Sequence, residues 1–212
     1  MANWFLFRKK FIGPSLIILL VLITFVALIS PPDKILGDRV RLVYLHGSII
    51  RVVLALFALA GLTGLIYLLT NRSAWSTRSI VLARASLIMW FVYLLISIVT
   101  TIQTWGGVPL FEPRWIFTIQ ISVLAPLAYM AGVVMKNPKV AAALNVFVIA
   151  AIIFLESRAQ LIMHPIDPIG TSDNVAIQAV YIVILALWAL VGVQVVRGLS
   201  VYAEERLANP AV

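Results

Sequence analysis

The sequence contains two histidines, His46 and His164, and no cysteine. Thiolate metal sites, disulfides and covalent haem attachment through a CxxCH motif are thereby excluded. Two imidazoles on separate loops can still hold a metal. They suit the axial positions of haem iron, gripped from opposite faces. Each is equally suited to a plainer role as an interfacial histidine bonded to backbone or water. His46 lies in Arg41-Leu42-Val43-Tyr44-Leu45-His46-Gly47, and His164 in Gln160-Leu161-Ile162-Met163-His164-Pro165. Between them runs Gln103-Thr104-Trp105-Gly106-Gly107-Val108-Pro109-Leu110-Phe111-Glu112-Pro113-Arg114-Trp115. Its glycines and prolines read as a rigid apolar surface rather than a helix. Such a surface can cover a planar macrocycle, with Trp105 and Phe111 beside the imidazoles, and it also fits an aromatic belt at a membrane interface. Arg51 stands inside an apolar stretch and can pair bidentately with a carboxylate. It shares a helical stripe with Arg41, Tyr44 and Ser48 but sits about 140° around the helix from His46. Snorkelling of its head to water accounts for it as well. Arg114 and Arg158 are further loop candidates.

The elements that position these residues follow from composition. Of 212 residues, 63% are apolar and 11% charged, with a mean hydropathy of +1.08. A soluble domain of this size cannot hide so much apolar surface. Soluble enzymes and nucleic-acid modules are excluded, and the lipid bilayer becomes the surrounding medium. Six segments are long enough to cross it, at about 13–30, 42–70, 79–102, 115–135, 140–156 and 175–197. The pattern predicts an all-α polytopic membrane protein, a single domain over 1–212. The first segment follows Arg8-Lys9-Lys10 as a signal peptide does, but Leu28-Ile29-Ser30 is a poor cleavage site, so a retained helix is expected. Ala60-x-x-x-Gly64 is a small-residue spacing for close helix packing, and Pro126 predicts a kink in the fourth span.

The net charge of +8 reads as topology. Arg8, Lys9, Lys10, Arg72, Arg78, Arg84, Lys136, Lys139, Arg197 and Arg206 fall on one side of the six-span arrangement, with only Glu204 and Glu205. Lys34, Arg39, Arg41, Arg51, Arg114 and Arg158 fall on the other, beside all six remaining acids. Basic loops stay inside, so both termini are expected in the cytoplasm. The loops at 31–48, 103–114 and 157–174 then face outward. Walker A, glycine-rich phosphate-binding and serine-triad patterns are absent, so an enzyme is not expected, nor transport driven by this chain alone.

Gly37-x-x-x-Arg41-Leu42-x-Tyr44-x-His46 resembles the opening of the second helix in CcmC-type haem-handling proteins of cytochrome c maturation. That family has six spans, cytoplasmic termini, a histidine in the first and third outer loops, and a tryptophan-rich loop between them. Here Trp105-Gly106 matches the start of the tryptophan-rich motif and Trp115 its next tryptophan. Phe117, Thr118 and Gln120 replace the following tryptophan, acid and arginine, and Gly47-Ser48 replaces Val-Pro. The resemblance implies non-covalent haem b held by His46 and His164, with Trp105 and Trp115 around it, and Arg51 is then the candidate to meet a propionate. It implies an inner-membrane protein presenting haem at the outer face. It further implies ABC-type transporter subunits and a haem chaperone as partners. The altered motif keeps a second function open: a haem-binding or haem-free scaffold subunit of a respiratory or photosynthetic membrane complex.

Overall fold

The structure of the chain, a computed structural model, describes residues 9–159, 169 and 172–208. After a 3-10 turn at Lys9–Phe11 come six helices: α1 (Ile12–Ile29), α2 (Val40–Thr70), α3 (Ser73–Trp105), α4 (Pro113–Met135), α5 (Pro138–Arg158) and α6 (Val175–Ala208). All are long and apolar enough to cross a membrane, and among the described residues there is no strand beyond an isolated Asp33–Gly37 bridge. The chain is an all-α, multi-pass membrane protein.

Local chemistry sets the helix ends. Pro31-Pro32 follows α1, where a helix cannot continue. Asn71 closes α2 in the left-handed region at φ +52°, and only Arg72 then separates it from α3. Gly106 ends α3 at φ +77°, a conformation that costs glycine little. The Asn137 side chain accepts the Lys139 N–H at 2.9 Å and Pro138 opens α5, a favourable start on both counts. Two elements are longer than the hydropathy pattern predicts. α3 begins at Ser73 rather than near 79, because no glycine or proline interrupts 73–105. Its 33 residues rise about 50 Å against about 30 Å of hydrocarbon, so its polar first turns project from the bilayer. α6 likewise runs on past Arg197 to Ala208. α4 is continuous through Pro126.

α2 is the centre. It packs against α3, α5 and α6, and half of its apolar window is buried by other helices, against 17% for α1. α1 leans on α6 and turns Ile17, Val21, Phe25 and Leu28 outward, which is favourable only in lipid. The small residues of α2 let α5 approach. A Cβ on Gly64 would lie 2.9 Å from the Ala142 carbonyl oxygen, and one on Gly61 would lie 2.4 Å from Ile149 Cγ2. Polar groups close the same junction. Ser79 Oγ of α3 donates to the Ala60 carbonyl at 2.8 Å, and Asn145 Nδ2 of α5 donates to Ser79 Oγ at 2.8 Å. Elsewhere hydroxyls return to their own helix, as Thr63 to Leu59 O at 2.7 Å and Ser86 to Leu82 O at 2.8 Å, which satisfies these donors where lipid offers no acceptor.

The connection into α2 is built on Asp33. Its carboxylate accepts the N–H groups of Ile35 and Leu36, each at 2.8 Å, and its backbone exchanges two hydrogen bonds with Gly37 at φ +55°. The Leu36 amide first, then that of Ile35, holds the Asp33 carboxyl below its ordinary value of 3.8. A carboxylate with a lowered folded-state pKa stabilises above its unfolded value and loses that contribution as pH falls through the folded value. Amide protection at Ile35 and Leu36 is therefore expected to weaken progressively below about pH 4, and to be weak at every pH in Asp33→Ala, as read by hydrogen exchange. Gly64→Ala should lower stability by about 1–3 kcal/mol through overpacking against backbone. Gly13→Ala, with nothing within 4 Å of the added Cβ, should not. Thermal unfolding in detergent compares the two.

Candidate functional site

At the end of the bundle where α2 and α4 begin and α3 and α5 finish, the helices splay around a cleft. Its lining comes from four elements. α2 supplies His46, Ile50 and Leu54, which recur every four residues and share one face. α3 supplies Tyr93 and Ser97 at the same spacing. The first turns of α4 supply Arg114, Trp115, Phe117 and Thr118, and the last turns of α5 supply Glu156 and Ala159. With its open mouth and the adjoining solvent counted, the cleft spans about 560 Å³.

An aromatic series backs this cleft. The His46 and Tyr93 rings lie 5.3 Å apart, Tyr93 and Trp90 5.2 Å, and Trp90 and Phe117 6.4 Å in an edge-on arrangement. Tyr93 also lies against the side chains of Thr118 and Ser97. The Trp90 indole N–H donates to Ser122 Oγ at 3.0 Å, and that hydroxyl donates to the Thr118 carbonyl at 2.7 Å. Trp90 is fully buried and Trp115 nearly so. The imidazole is thus placed by ring packing on a rigid wall, since aromatic pairs at these separations attract beyond their area.

Charge enters through α4. Arg114 is half-buried, its Nε is enclosed without a hydrogen-bond partner, and among the described residues it makes no ion pair. An enclosed, unsatisfied guanidinium nitrogen is costly and marks a place for an acceptor. Glu156, across the cleft, is exposed. Among the described residues no group of three or more His, Asp or Glu could hold a bare metal ion. Imidazole, guanidinium and aromatic walls together suit a flat amphiphile bearing carboxylates.

No protein-family model matches the sequence, and no curated protein matches it.

The residues singled out from sequence separate in space. His46 and Trp115 meet in the cleft. His164 lies outside the described residues. Arg51 is exposed and stands over the Tyr181 ring of α6 at 5.8 Å, away from the cleft, as its angular offset from His46 requires. There it braces α2 against α6, where the Tyr181 hydroxyl also donates to the Gly47 carbonyl at 3.0 Å. Trp105 is the last residue of α3, about 12 Å along the helix from Ser97, and is not part of the lining. Phe111 projects at 71% exposure rather than beside His46. The loop itself is short, Gly106 to Glu112, because helix claims both flanks.

Arg114, Tyr93, Ser97 and Glu156 supply further polar groups of the site. A tyrosine and serine four apart within an apolar span were the available signal for α3, and Pro113 was the signal that Arg114 opens a helix. The wall depends on the Trp90–Ser122 bond. Ser122→Ala should cost about 0.5–2 kcal/mol by leaving a buried indole N–H unpaired, whereas Ser122→Thr should retain most stability. Thermal unfolding with tryptophan fluorescence measures both.

Proposed function

We propose that this chain is a haem-handling membrane protein of the CcmC type, which holds non-covalent haem b at the cleft and presents it for cytochrome c maturation. The observation that carries this is the convergence of His46, Arg114, Trp115 and Phe117 on one cleft at the end of the bundle. The donor chemistry fits the group. His46 on α2 would hold the iron, Trp115 and Phe117 would flank the macrocycle, and Arg114 with its unpartnered Nε would take a propionate. His164, which lies outside the described residues, is proposed as the second histidine that would hold the iron. Bound haem supplies an exchangeable iron–imidazole bond. The chain's own residues orient the ring, exclude water from its apolar edge and neutralise a carboxylate.

The charge distribution supports the finer placement. The two turns at 71–72 and 136–137 are flanked by Arg72, Arg78, Lys136 and Lys139 without an acid, which supports a cytoplasmic position for that end and an outer-face position for the cleft in the proposed inner-membrane setting. An ABC-type transporter assembly and a haem chaperone are the proposed partners.

Purified protein loaded with haem and read by absorption spectroscopy tests this. His46→Ala and His164→Ala should each give five-coordinate or weakly held haem, and the double variant none. Arg114→Gln should weaken binding about tenfold, the scale of one charge-assisted hydrogen bond, while Arg51→Gln leaves the spectrum unchanged. Unchanged spectra in both histidine variants, or failure of the parent protein to take up haem, would overturn the proposal.

A further inference from the structure

The opposite end of the bundle carries a second groove with different chemistry. It lies between α3, α4 and α5 and spans about 340 Å³ with its mouth included. Ala128, Gly132 and Ala141 make it by being small, since a Cβ on Gly132 would already lie 3.2 Å from Ala141. Ile80 and Val133 complete an apolar wall, and Tyr129 and Asn145 also line the groove. One turn beyond Ile80 stands Arg84. Its Nε donates to the Tyr129 hydroxyl, and its guanidinium sits over the Tyr129 ring at 5.9 Å. The side chain is half-buried and held inward, instead of extending along the helix to water.

Among the described residues no acid neutralises this cation. The sequence has no Asp or Glu between Asp38 and Glu112, nor between Glu112 and Glu156. Among the described residues Arg84 makes no ion pair, and its terminal nitrogens have no hydrogen-bond acceptor. An arginine inside a membrane span requires a partner or water. Tyr129 precedes Lys136 by seven residues, about 10 Å of helix, which sets Arg84 near headgroup depth below the α4–α5 turn. Lys136 and Lys139 are exposed at that turn. Leu127, Met130 and Val134 face outward around the groove, so the groove opens to lipid.

We propose that this groove is a binding site for an anionic phospholipid. The phosphate takes the free fork of Arg84, a bidentate geometry that guanidinium favours. Lys136 and Lys139 add charge at the mouth, and an acyl chain lies along Gly132, Val133 and Ala141. Basic pockets between helices of this kind select charged headgroups. The site is independent of the proposed haem cleft, and its loss leaves a haem spectrum unaltered.

The full chain reconstituted in phosphatidylcholine vesicles, with and without phosphatidylglycerol, provides the test, read by native mass spectrometry of retained lipid and by thermal unfolding. Retention of phosphatidylglycerol over phosphatidylcholine is expected, falling roughly fivefold in Arg84→Gln. Arg84→Lys, which keeps the charge and loses the fork, should give a smaller loss if the glutamine variant does not fold. Lys136→Gln with Lys139→Gln should weaken retention without abolishing it. Equal retention of the two lipids, undiminished retention in a folded Arg84 variant, or the same thermal shift from inorganic phosphate alone would overturn the proposal.

Discussion

The Ala142 carbonyl of α5 lies so close to α2 that a Cβ on Gly64 would come within 2.9 Å of it, and the remaining contacts depend on that approach. Apolar surface gives no net drive for helices to associate in lipid, because lipid tails are as apolar as the side chains. Association rests on close packing and on hydrogen bonds that lipid cannot supply. Gly61 and Gly64 provide the first, and the Asn145–Ser79–Ala60 series provides the second across three helices at once. His46 lies 18 residues before Gly64 on the same unbroken helix, about 27 Å away. α2 is therefore a strut spanning nearly the whole hydrocarbon thickness. Its anchoring at one end fixes the orientation of the imidazole at the other.

The two ends of that strut do opposite things with charge. Around the cleft, Arg114 and Glu156 face one space, and the connection into α2 is closed by Asp33 and an Arg41–Asp38 ion pair at 3.0 Å. Around the groove there are cations without acids. Tyrosine mediates at both places, stacking with His46 through Tyr93 and holding Arg84 through Tyr129. A tyrosine ring can do this near an interface because its body is apolar and its hydroxyl satisfies a polar neighbour.

Six helices were legible in the sequence because each span needs an unbroken apolar run, and Pro31, Asn71, Gly106, Asn137 and Pro138 punctuate those runs where the chain turns. The start of α3 was not legible, because Ser73–Arg78 is polar and hydropathy measures the bilayer rather than the helix. Side-chain partners were harder to read. In water an apolar stripe identifies the inner face of a helix. In lipid both faces are apolar, so the sequence of α4 does not distinguish buried Ile121 from exposed Val123. His46 and Trp115 were visible as residue types, and the structure joins them. The separation of Arg51 from His46 was also readable, since it depends on rotation within one helix. The approach of Arg114, Tyr93 and Glu156 depends on how three further helices are rotated, which no local pattern records.

Thr118 shows how a departure from the resembled family acts on the site. It stands one turn after Arg114 on α4, where an acid would be the natural ion-pair partner of that arginine. Its hydroxyl instead donates to the Arg114 carbonyl at 2.8 Å, which satisfies the hydroxyl and leaves the guanidinium alone. Arg114 consequently keeps an unpartnered Nε beside the cleft. Glu156, across the cleft, is exposed and so screened by water, and among the described residues it makes no ion pair with Arg114. A carboxylate arriving with a ligand would therefore meet an arginine that no internal acid has to release. Under the proposed reading, a threonine at 118 in place of an acid leaves Arg114 without an internal competitor for a ligand carboxylate.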